Sequence, residues 1–463
     1  MTVDCDRLIQ YPVGTASIRE GNALHLPLRD ESVDLIVTSP PYFALRSYTD
    51  GGEHYDGQIG SEPTPQAFLE ALWAVTRECR RVLKPSGSLW VNLGDKYSGY
   101  TGTKPVAGRN VGGGERRQGL TPSGPASAPN LYGVPNKSLM GLPWRYAIGC
   151  IDDLDLILRA EVIWSKPNGL PESVTDRVRR SHEQWFHFVK EPRYFAAVDE
   201  VREPQVDPER GRSGRSNGTS TTGRTDGVSR DRGYQSETLE FNPLGKLPGS
   251  VWTIPSEPLK VPDWLGVDHF AAYPQEWPRR IILGWSPSGI CCECGEGRRP
   301  VVEKQLTVRN RNVDPRKYST GKDADAMGNW SAATEFQGST EATITGYACA
   351  CPTPDAPTRP AVVLDPFGGT GTTAMVARAL GRYGISIDLS RDYLRLARWR
   401  VWKSGHEYKT HARSWAERNE AMVDGKPKVP AAVKRQIEAE MKERAMAGRV
   451  MEKAEWEEVK ADG

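Results

Sequence analysis

Residues 361–374 read AVVLDPFGGTGTTA, and they decide the fold class because they join an apolar run, a glycine turn and a helix start. The run at 361–364 predicts a short buried strand, and the residues after the turn predict a helix over 372–380. Glycines in such a turn let a ligand approach the backbone closely, and free N–H groups at a helix start favour an anionic ligand group. The stretch therefore predicts a binding site at the end of a strand.

A second strand is predicted over 383–387 and ends at Asp388, 19 residues after Gly369. A carboxylate at that spacing can accept hydrogen bonds from ribose hydroxyls, which predicts a cofactor that carries a nucleoside. Gly369, Gly371 and Ala374 nearly match the dinucleotide fingerprint, so a nicotinamide-dependent oxidoreductase is an alternative. Fewer than 100 residues follow the turn, too few for a complete dinucleotide domain, so the rest of the sheet must come from earlier in the chain.

Another apolar run, VDLIVT at 33–38, predicts a strand that is buried on both faces and ends at a Pro-Pro turn. Ser39 offers a hydroxyl acceptor and Pro40 a carbonyl acceptor, while Pro41 stiffens the backbone. Tyr42 offers a flat ring for stacking. Together these groups suit a planar molecule with an exocyclic amine.

The two turns together resemble the motifs of the DNA amino-methyltransferases that use S-adenosylmethionine. TSPPY at 38–42 is similar to the catalytic motif of that family, and DPFGGTG at 365–371 is similar to its cofactor motif. The order, catalytic motif first, is that of the family's β group. The resemblance implies an α/β fold with a single doubly wound mixed sheet, permuted, with long loop insertions. It implies S-adenosyl-L-methionine as cofactor and double-stranded DNA as partner, and it leaves open a homodimer and a cognate restriction nuclease.

The resemblance also assigns site residues. The implied catalytic residues are Ser39, Pro40, Pro41 and Tyr42. The implied cofactor-binding residues are Asp365, Pro366, Phe367, Gly368, Gly369, Gly371, Thr372, Asp388, Asn22 and Phe270. Family members often carry Gly-Asp where this chain has Gly-Asn at 21–22, so Asn22 departs from the family pattern. Supporting similarities lie in the segments 88–95, 164–168, 181–183 and 269–274.

The target amine follows mainly from one residue. In this family a serine at the position of Ser39 is commoner among cytosine-N4 enzymes, and aspartate or asparagine among adenine-N6 enzymes. The resemblance therefore favours cytosine N4, with adenine N6 as the alternative. Because the amine cannot reach the methyl group inside a duplex, base flipping is expected, with Tyr42 replacing lost stacking.

Four cysteines form two close pairs, Cys291 with Cys294 and Cys349 with Cys351. Two thiolate pairs suit a tetrahedral structural zinc ion, while unpaired cytosolic thiols are the alternative. A zinc-containing DNA-binding module without catalysis would explain the cysteines but leaves the glycine turn with Asp388 unexplained.

Other elements follow from local patterns. Thr64 and Pro65 predict the start of a helix whose apolar residues recur through 82, and a strand is predicted at 88–93. A short edge strand is predicted near 17–19, a helix near 140–150, and further strands at 160–164 and 184–189. The polar, glycine-rich stretch 295–346 is expected to be loose.

Length, net charge and the distribution of apolar residues exclude several classes of protein. The chain has 463 residues and a formal net charge of +2, so neither a polybasic nor an acidic tail protein fits. It has no run of 18 apolar residues and no N-terminal apolar run, so we expect no membrane contact and a cytoplasmic location in a bacterial or virus-infected cell. The expected divisions are a catalytic half at 14–200 with a basic loop at 96–137, a target-recognition insertion at 201–256, a cofactor half at 257–405 with a cysteine-bearing insertion at 291–351, and a charged, helical tail at 406–463.

Overall fold

The computed structural model describes residues 14–44, 49–50, 53–54, 58–98, 134–135, 137–169, 171–172, 174–204, 242–261, 272–309, 337–353 and 356–402. The strands within these ranges are β1 (Ala16–Glu20), β2 (Val33–Thr38), β3 (Thr49–Asp50), β4 (Glu53–His54), β5 (Leu83–Leu93), β6 (Ile157–Ser165), β7 (His182–Val189), β8 (Val251–Thr253), β9 (Ile290–Cys291), β10 (Arg299–Arg309), β11 (Gln337–Ala348), β12 (Thr358–Arg359), β13 (Val362–Asp365) and β14 (Tyr383–Asp388). The α-helices are α1 (Pro65–Val82), α2 (Leu142–Asp152), α3 (Glu276–Trp285), α4 (Thr372–Ala379) and α5 (Arg391–Trp402). A single 3₁₀ turn, Val198–Val201, precedes β8 in these ranges.

Eight strands form one mixed sheet in the order β1-β14-β13-β2-β5-β7-β6-β8. Neighbours from β1 to β5 pair in parallel, β7 is antiparallel to both β5 and β6, and β8 pairs in parallel with β6. One core, which contains Ile36, packs the sheet against α1 and α2, and another, which contains Leu35, packs the opposite face against α3, α4 and α5. The expected α/β fold with a doubly wound mixed sheet is confirmed.

The start of α1 follows the sequence signals closely. Thr64 is the N-cap and its Oγ1 accepts a 3.1 Å hydrogen bond from the N–H of Ala67, while Pro65 fills the first helical position. The helix ends at Val82, and β5 begins at once with Leu83, earlier than the predicted strand at 88–93. The four residues between Leu83 and Ser88 form an irregularity in the pairing of β2 with β5.

The expectation that 295–346 is loose is wrong for part of this stretch. β10 and β11 pair antiparallel along their length, from Arg299 opposite Ala348 to Arg309 opposite Gln337. The pair stands apart from the main sheet, so its strands need no continuous apolar run and satisfy their backbone groups through the ladder. We call residues 292–357 the arm.

Some expected segments lie partly or wholly outside the described residues. These are the basic loop between 99 and 133, most of the predicted recognition insertion, and the tail from 403 onward. The end of that insertion is described, and there β8 forms an edge of the main sheet.

No helix in the described part of the chain is long and apolar enough to cross a membrane.

Candidate active site

The two predicted turns start from neighbouring strands of the sheet. β2 and β13 run parallel, with Leu35 opposite Val363, so their carboxyl ends lie at the same edge. Thr38 Oγ1, at the end of β2, donates a 2.8 Å hydrogen bond to Asp365 Oδ1, at the end of β13. The structure thus brings together the two turns that the sequence analysis selected.

Side chains of the two turns also share a surface. Thr38, Pro40 and Phe367 line one small cavity, together with Leu72 and Val75 of α1. The predicted catalytic turn and the predicted cofactor turn therefore border the same cavity beside α1.

The carboxylate of Asp365 is the centre of this junction. It is buried and accepts hydrogen bonds from Thr38 Oγ1, Thr373 Oγ1, Tyr273 Oη and the backbone N–H of Phe367, at 2.8, 2.8, 3.0 and 3.2 Å. Burial raises the pKa of Asp365, and these hydrogen bonds oppose that rise. Since a carboxylate accepts about four hydrogen bonds, its capacity is used by the protein itself.

In the catalytic turn, the hydroxyls of Ser39 and Tyr42 lie on one acceptor, the side-chain oxygen of Asn92 in β5. The two hydroxyls are 3.2 Å and 2.7 Å from Asn92 Oδ1. Asn92 Nδ2 donates to the carbonyl of Gln184 at 3.0 Å, which fixes the amide with its oxygen toward the turn. Because Ser39 donates its proton to Asn92, the lone pairs of its hydroxyl remain available as acceptors.

Tyr42 is held at both its ring and its hydroxyl. The hydroxyl also lies 2.8 Å from Glu183 Oε2, so its single proton has two acceptors within reach. Glu183 forms an ion pair with Lys166, whose ammonium lies 4.0 Å from the centroid of the Trp164 ring. A Cβ at Gly94 would lie 2.6 Å from the Tyr42 ring, so only glycine permits this packing. The orientation of Tyr42 is therefore set by β5, β6 and β7.

The glycine turn has the backbone that its sequence predicts. Gly369 and Gly371 have φ of +48° and +73°, the left-handed region that favours glycine. Gly371 is the N-cap of α4 and offers no side chain, so no side-chain acceptor caps the first N–H groups of this helix. Those groups can bind an acceptor on a ligand, and the residues present fit the predicted cofactor.

Asp388 lies at the end of β14, beside this turn. Its Oδ2 accepts a 2.7 Å hydrogen bond from the N–H of Gly369, and its Oδ1 a 2.9 Å bond from the N–H of Ser390. Burial raises the pKa of Asp388 to about 6, although both backbone bonds act in the opposite direction. Each carboxylate oxygen has accepted one of these bonds and keeps a further lone pair for a ribose hydroxyl.

Asn22 follows β1 and lies near Asp388, since the N–H of Gly21 donates to the backbone carbonyl of Asp388 at 3.0 Å. Asn22 is exposed, and its Oδ1 accepts a 2.9 Å hydrogen bond from the N–H of Leu24. Phe270, the remaining predicted cofactor residue, lies outside the described residues.

A buried arginine supports the glycine turn from below. Arg400 of α5 is 3% exposed, and its Nη1 donates to Thr370 Oγ1 at 2.8 Å and to Thr372 Oγ1 at 2.5 Å. Burial lowers the pKa of Arg400 to about 10, still high enough for the side chain to stay charged at neutral pH. This charge adds to the positive end of the α4 dipole.

Sequence reasoning gave no role to several residues of this site. Asn92 is the one polar residue in the run LWVNL of β5, which is the signal that could have identified it. Glu183 and Lys166 lie in segments that resemble family motifs, but neither received a role. Arg400 carries no comparable signal, because a charged residue in a helix is usually solvated.

Comparison with known proteins adds independent information. The family model described as "DNA methylase", for the N6/N4 methyltransferases, matches residues 33–291 and 358–398, more than half of the chain. The Type II methyltransferase M.SmaI of Serratia marcescens is 28% identical over 375 residues, which are 81% of this chain and 86% of that protein. M.XycI of Xanthomonas campestris pv. cyanopsidis is 41% identical over 192 residues, 41% of this chain and 59% of that protein.

Among solved structures, the PvuII DNA methyltransferase, described as cytosine-N4-specific, aligns over 89% of this chain and 96% of its own, with 15% identity and a TM-score of 0.44. The family match argues against both alternatives, a nicotinamide-dependent oxidoreductase and a non-catalytic DNA-binding module. The chain belongs to the DNA methylase family, the S-adenosylmethionine-dependent DNA amino-methyltransferases.

Proposed function

We propose that this DNA methyltransferase methylates cytosine at N4, with adenine N6 as the alternative target. The observation that carries the choice is Ser39, at the end of β2 and bonded to Asn92. A neutral hydroxyl whose proton is already donated accepts a hydrogen bond from an amine without adding negative charge to the site. The serine also matches the preference of cytosine-N4 enzymes in this family.

Ser39 and Pro40 act on the amine as acceptors. The exocyclic amine is a poor nucleophile, since its lone pair is delocalised into the ring. Two hydrogen bonds, to Ser39 Oγ and to the Pro40 carbonyl, hold it toward tetrahedral geometry and free that lone pair. Serine is too weak a base to remove a proton first, so the amine loses its proton after it has gained the methyl group. Positioning of this kind is worth roughly 7–11 kcal/mol of barrier when the alignment is good.

The cofactor side of the site is built from the glycine turn and its neighbours. When bound, S-adenosylmethionine supplies an electrophilic methyl group on a sulfonium. The first turn of α4, from Thr372, offers backbone N–H donors, and Asp388 offers acceptors for ribose hydroxyls. The N–H groups of Gly368, Gly369 and Gly371 are bonded within the protein, so these glycines shape the turn. We assign further cofactor contacts to Phe367, which follows Asp365 by two residues, and to the exposed Asn22. Asp365 contributes by holding the two turns together.

Tyr42 stacks on the target base after the base leaves the duplex. Its ring is fixed by Gly94 on one side and its hydroxyl by Asn92 and Glu183, which supports a preorganised platform. Such a ring compensates for the stacking that the flipped base has lost.

The DNA target and the biological setting extend the proposal. We assign target recognition to the insertion between the two halves of the sheet, most of which, residues 205–241, lies outside the described residues. Relatives named Type II methyltransferases support a restriction–modification role with a cognate nuclease. A homodimer remains a prediction, which sedimentation of the full chain with and without DNA tests.

The decisive experiment is mass spectrometry of nucleosides from DNA of a bacterial strain that lacks amino-methyltransferases and expresses this protein. N4-methylcytosine is the expected product. N6-methyladenine instead would move the assignment to the alternative base, and neither product would refute the proposed function.

Two serine variants, one at the site and one away from it, accompany this experiment. Ser39→Ala removes the acceptor and is expected to reduce product strongly while the protein still binds S-adenosylmethionine. Ser86→Ala, at an exposed position near the start of β5, is expected to behave as wild type. Full activity of the Ser39 variant would remove Ser39 from the catalytic role.

A further inference from the structure

The structure brings four cysteine side chains into one cluster. The Sγ atoms of Cys291, Cys294, Cys349 and Cys351 all lie within 4.8 Å of one another, although Cys294 and Cys349 are 55 residues apart in the chain. All four are free thiols. Sulfur donors that converge from two distant segments of the chain are typical of a metal-binding site.

Each pair has a local reason to point its sulfurs the same way. After β9 the chain turns back, with the N–H of Gly295 bonded to the carbonyl of Cys291 at 2.9 Å. Gly295 has φ of +74°, so the turn needs the conformational freedom of glycine. Cys349 and Cys351 follow β11 directly, on either side of a bend at Ala350, and both of their sulfurs belong to the cluster. The C-x-C spacing therefore suits a two-thiol contribution from this segment.

The donor set and its dimensions select the metal. Four sulfurs bound to one Zn²⁺ at about 2.3 Å in a tetrahedron lie about 3.8 Å apart, which small side-chain adjustments of this cluster reach. Four thiolates disfavour magnesium and calcium, which prefer oxygen ligands. A cluster of several irons holds its thiolates farther apart than a single ion does.

The cysteine cluster lies where the arm joins the part of the chain that the family shares. The family model stops at residue 291 and resumes at 358, so the arm is an addition to the part of the chain that the family shares. Cys291 in β9 pairs with Thr358 in β12, which means that the arm leaves and returns at one point. The four cysteines lie close to this point, near the two ends of the arm.

We propose that Cys291, Cys294, Cys349 and Cys351 bind one structural Zn²⁺ that fixes the arm to the catalytic sheet. The arm also contacts the 3₁₀ turn at Val198–Val201 through Tyr347, whose hydroxyl donates a hydrogen bond to Glu200 of that turn. A bound ion offsets the entropy of closing the long loop between the two cysteine pairs. This inference rests on the cysteine cluster and is independent of which base the enzyme methylates.

The test is elemental analysis of the full-length protein, purified without chelator. We expect about one zinc per chain, and Cys294→Ser and Cys351→Ser to lose it under a mild chelator challenge that wild type survives. Cys292→Ser is the matched control, because Cys292 lies between two proposed ligands but outside the cluster. It is expected to keep its zinc.

Two further measurements keep the proposal falsifiable if a serine variant fails to fold. Cys294→His, which keeps a zinc ligand at the position, is expected to fold and retain metal. Wild-type protein loaded with Co²⁺ is expected to show the absorption of tetrahedral thiolate coordination. Metal-free wild-type protein, iron in place of zinc, or equal zinc loss in the Cys292 control would overturn the assignment.

Discussion

Thr38 and Asp365 are joined by a 2.8 Å hydrogen bond although 327 positions separate them in the chain. The bond links the strand that ends in the catalytic turn to the strand that ends in the glycine turn. Asp34, on the same strand as Thr38, makes a second link, since its Oδ2 accepts a 2.8 Å bond from the N–H of Val362. The site thus depends on polar contacts between two strands from opposite ends of the sequence.

Removing the first link should weaken both fold and cofactor binding. Thr38→Val keeps the shape of the side chain but leaves buried Asp365 with one donor fewer, which costs about 1–3 kcal/mol of unfolding free energy. Denaturant unfolding and calorimetric titration with S-adenosylmethionine measure the two effects. Thr343→Val, at an exposed position of β11, is the control. Identical behaviour of the two variants would contradict a role for this bond.

Asn92 should act on catalysis rather than on cofactor affinity. Asn92→Ala removes the acceptor shared by Ser39 and Tyr42 and should lower kcat by roughly 10- to 100-fold, because small misplacements of positioning groups have effects of that size. The dissociation constant for S-adenosylmethionine should stay within about twofold of wild type. A variant that loses cofactor binding and kcat together would indicate a folding role instead.

Tyr42 should contribute through its ring more than through its hydroxyl. Tyr42→Phe keeps the ring and should retain most binding to DNA that carries a mismatch at the target base. Tyr42→Ala should lose about 1–3 kcal/mol of that binding free energy, the usual value of base–aromatic stacking. Fluorescence of 2-aminopurine at the target position reports the flipped state. Equal signals from both variants would argue against stacking.

Cofactor binding should depend on the protonation of Asp388. Its pKa is raised to about 6, so its carboxylate gains a proton as the pH falls through 6 and then loses acceptor capacity for ribose hydroxyls. Affinity for S-adenosylmethionine should therefore decrease between pH 7 and pH 5. Asp388→Asn should bind weakly and lack this step, and an unchanged pH profile in that variant would contradict the assignment.

The same group gives a stability prediction of defined sign. The folded protein binds this proton more tightly than the unfolded chain, whose Asp has the ordinary value of 3.8. The contribution of Asp388 to stability is thus largest below about pH 4 and declines as the pH rises toward 6. The difference in unfolding free energy between wild type and Asp388→Asn, measured across that range, checks it.

Elements with a strong local signal were predictable from the sequence. β2 occupies the predicted residues because a continuous apolar run ends at two prolines, and α1 starts at the predicted cap. β10 and β11 were missed, since an exposed two-stranded ladder needs neither an apolar run nor strict alternation. α3 was also missed because Pro278 lies near its start, where a helix tolerates proline but a pattern search does not expect it.

The site was predictable as two motifs but not as a network. Both turns contain residue types that indicate ligands by themselves. Asn92 lies in β5, Glu183 in β7 and Lys166 directly after β6, and the antiparallel pairing of these three strands brings them to Tyr42. Such convergence depends on strand register, which is a property of the assembled sheet.

The pairing of Cys291 with Thr358 has an evolutionary consequence. Residues opposite each other on antiparallel strands are only about 5 Å apart, so a short turn could bridge them if everything between were deleted. Because its two ends lie side by side, a segment such as the arm can be gained, exchanged or lost in a single genetic event while the rest of the fold stays intact. The appendage is then free to diversify at a different pace from the chemistry that it accompanies.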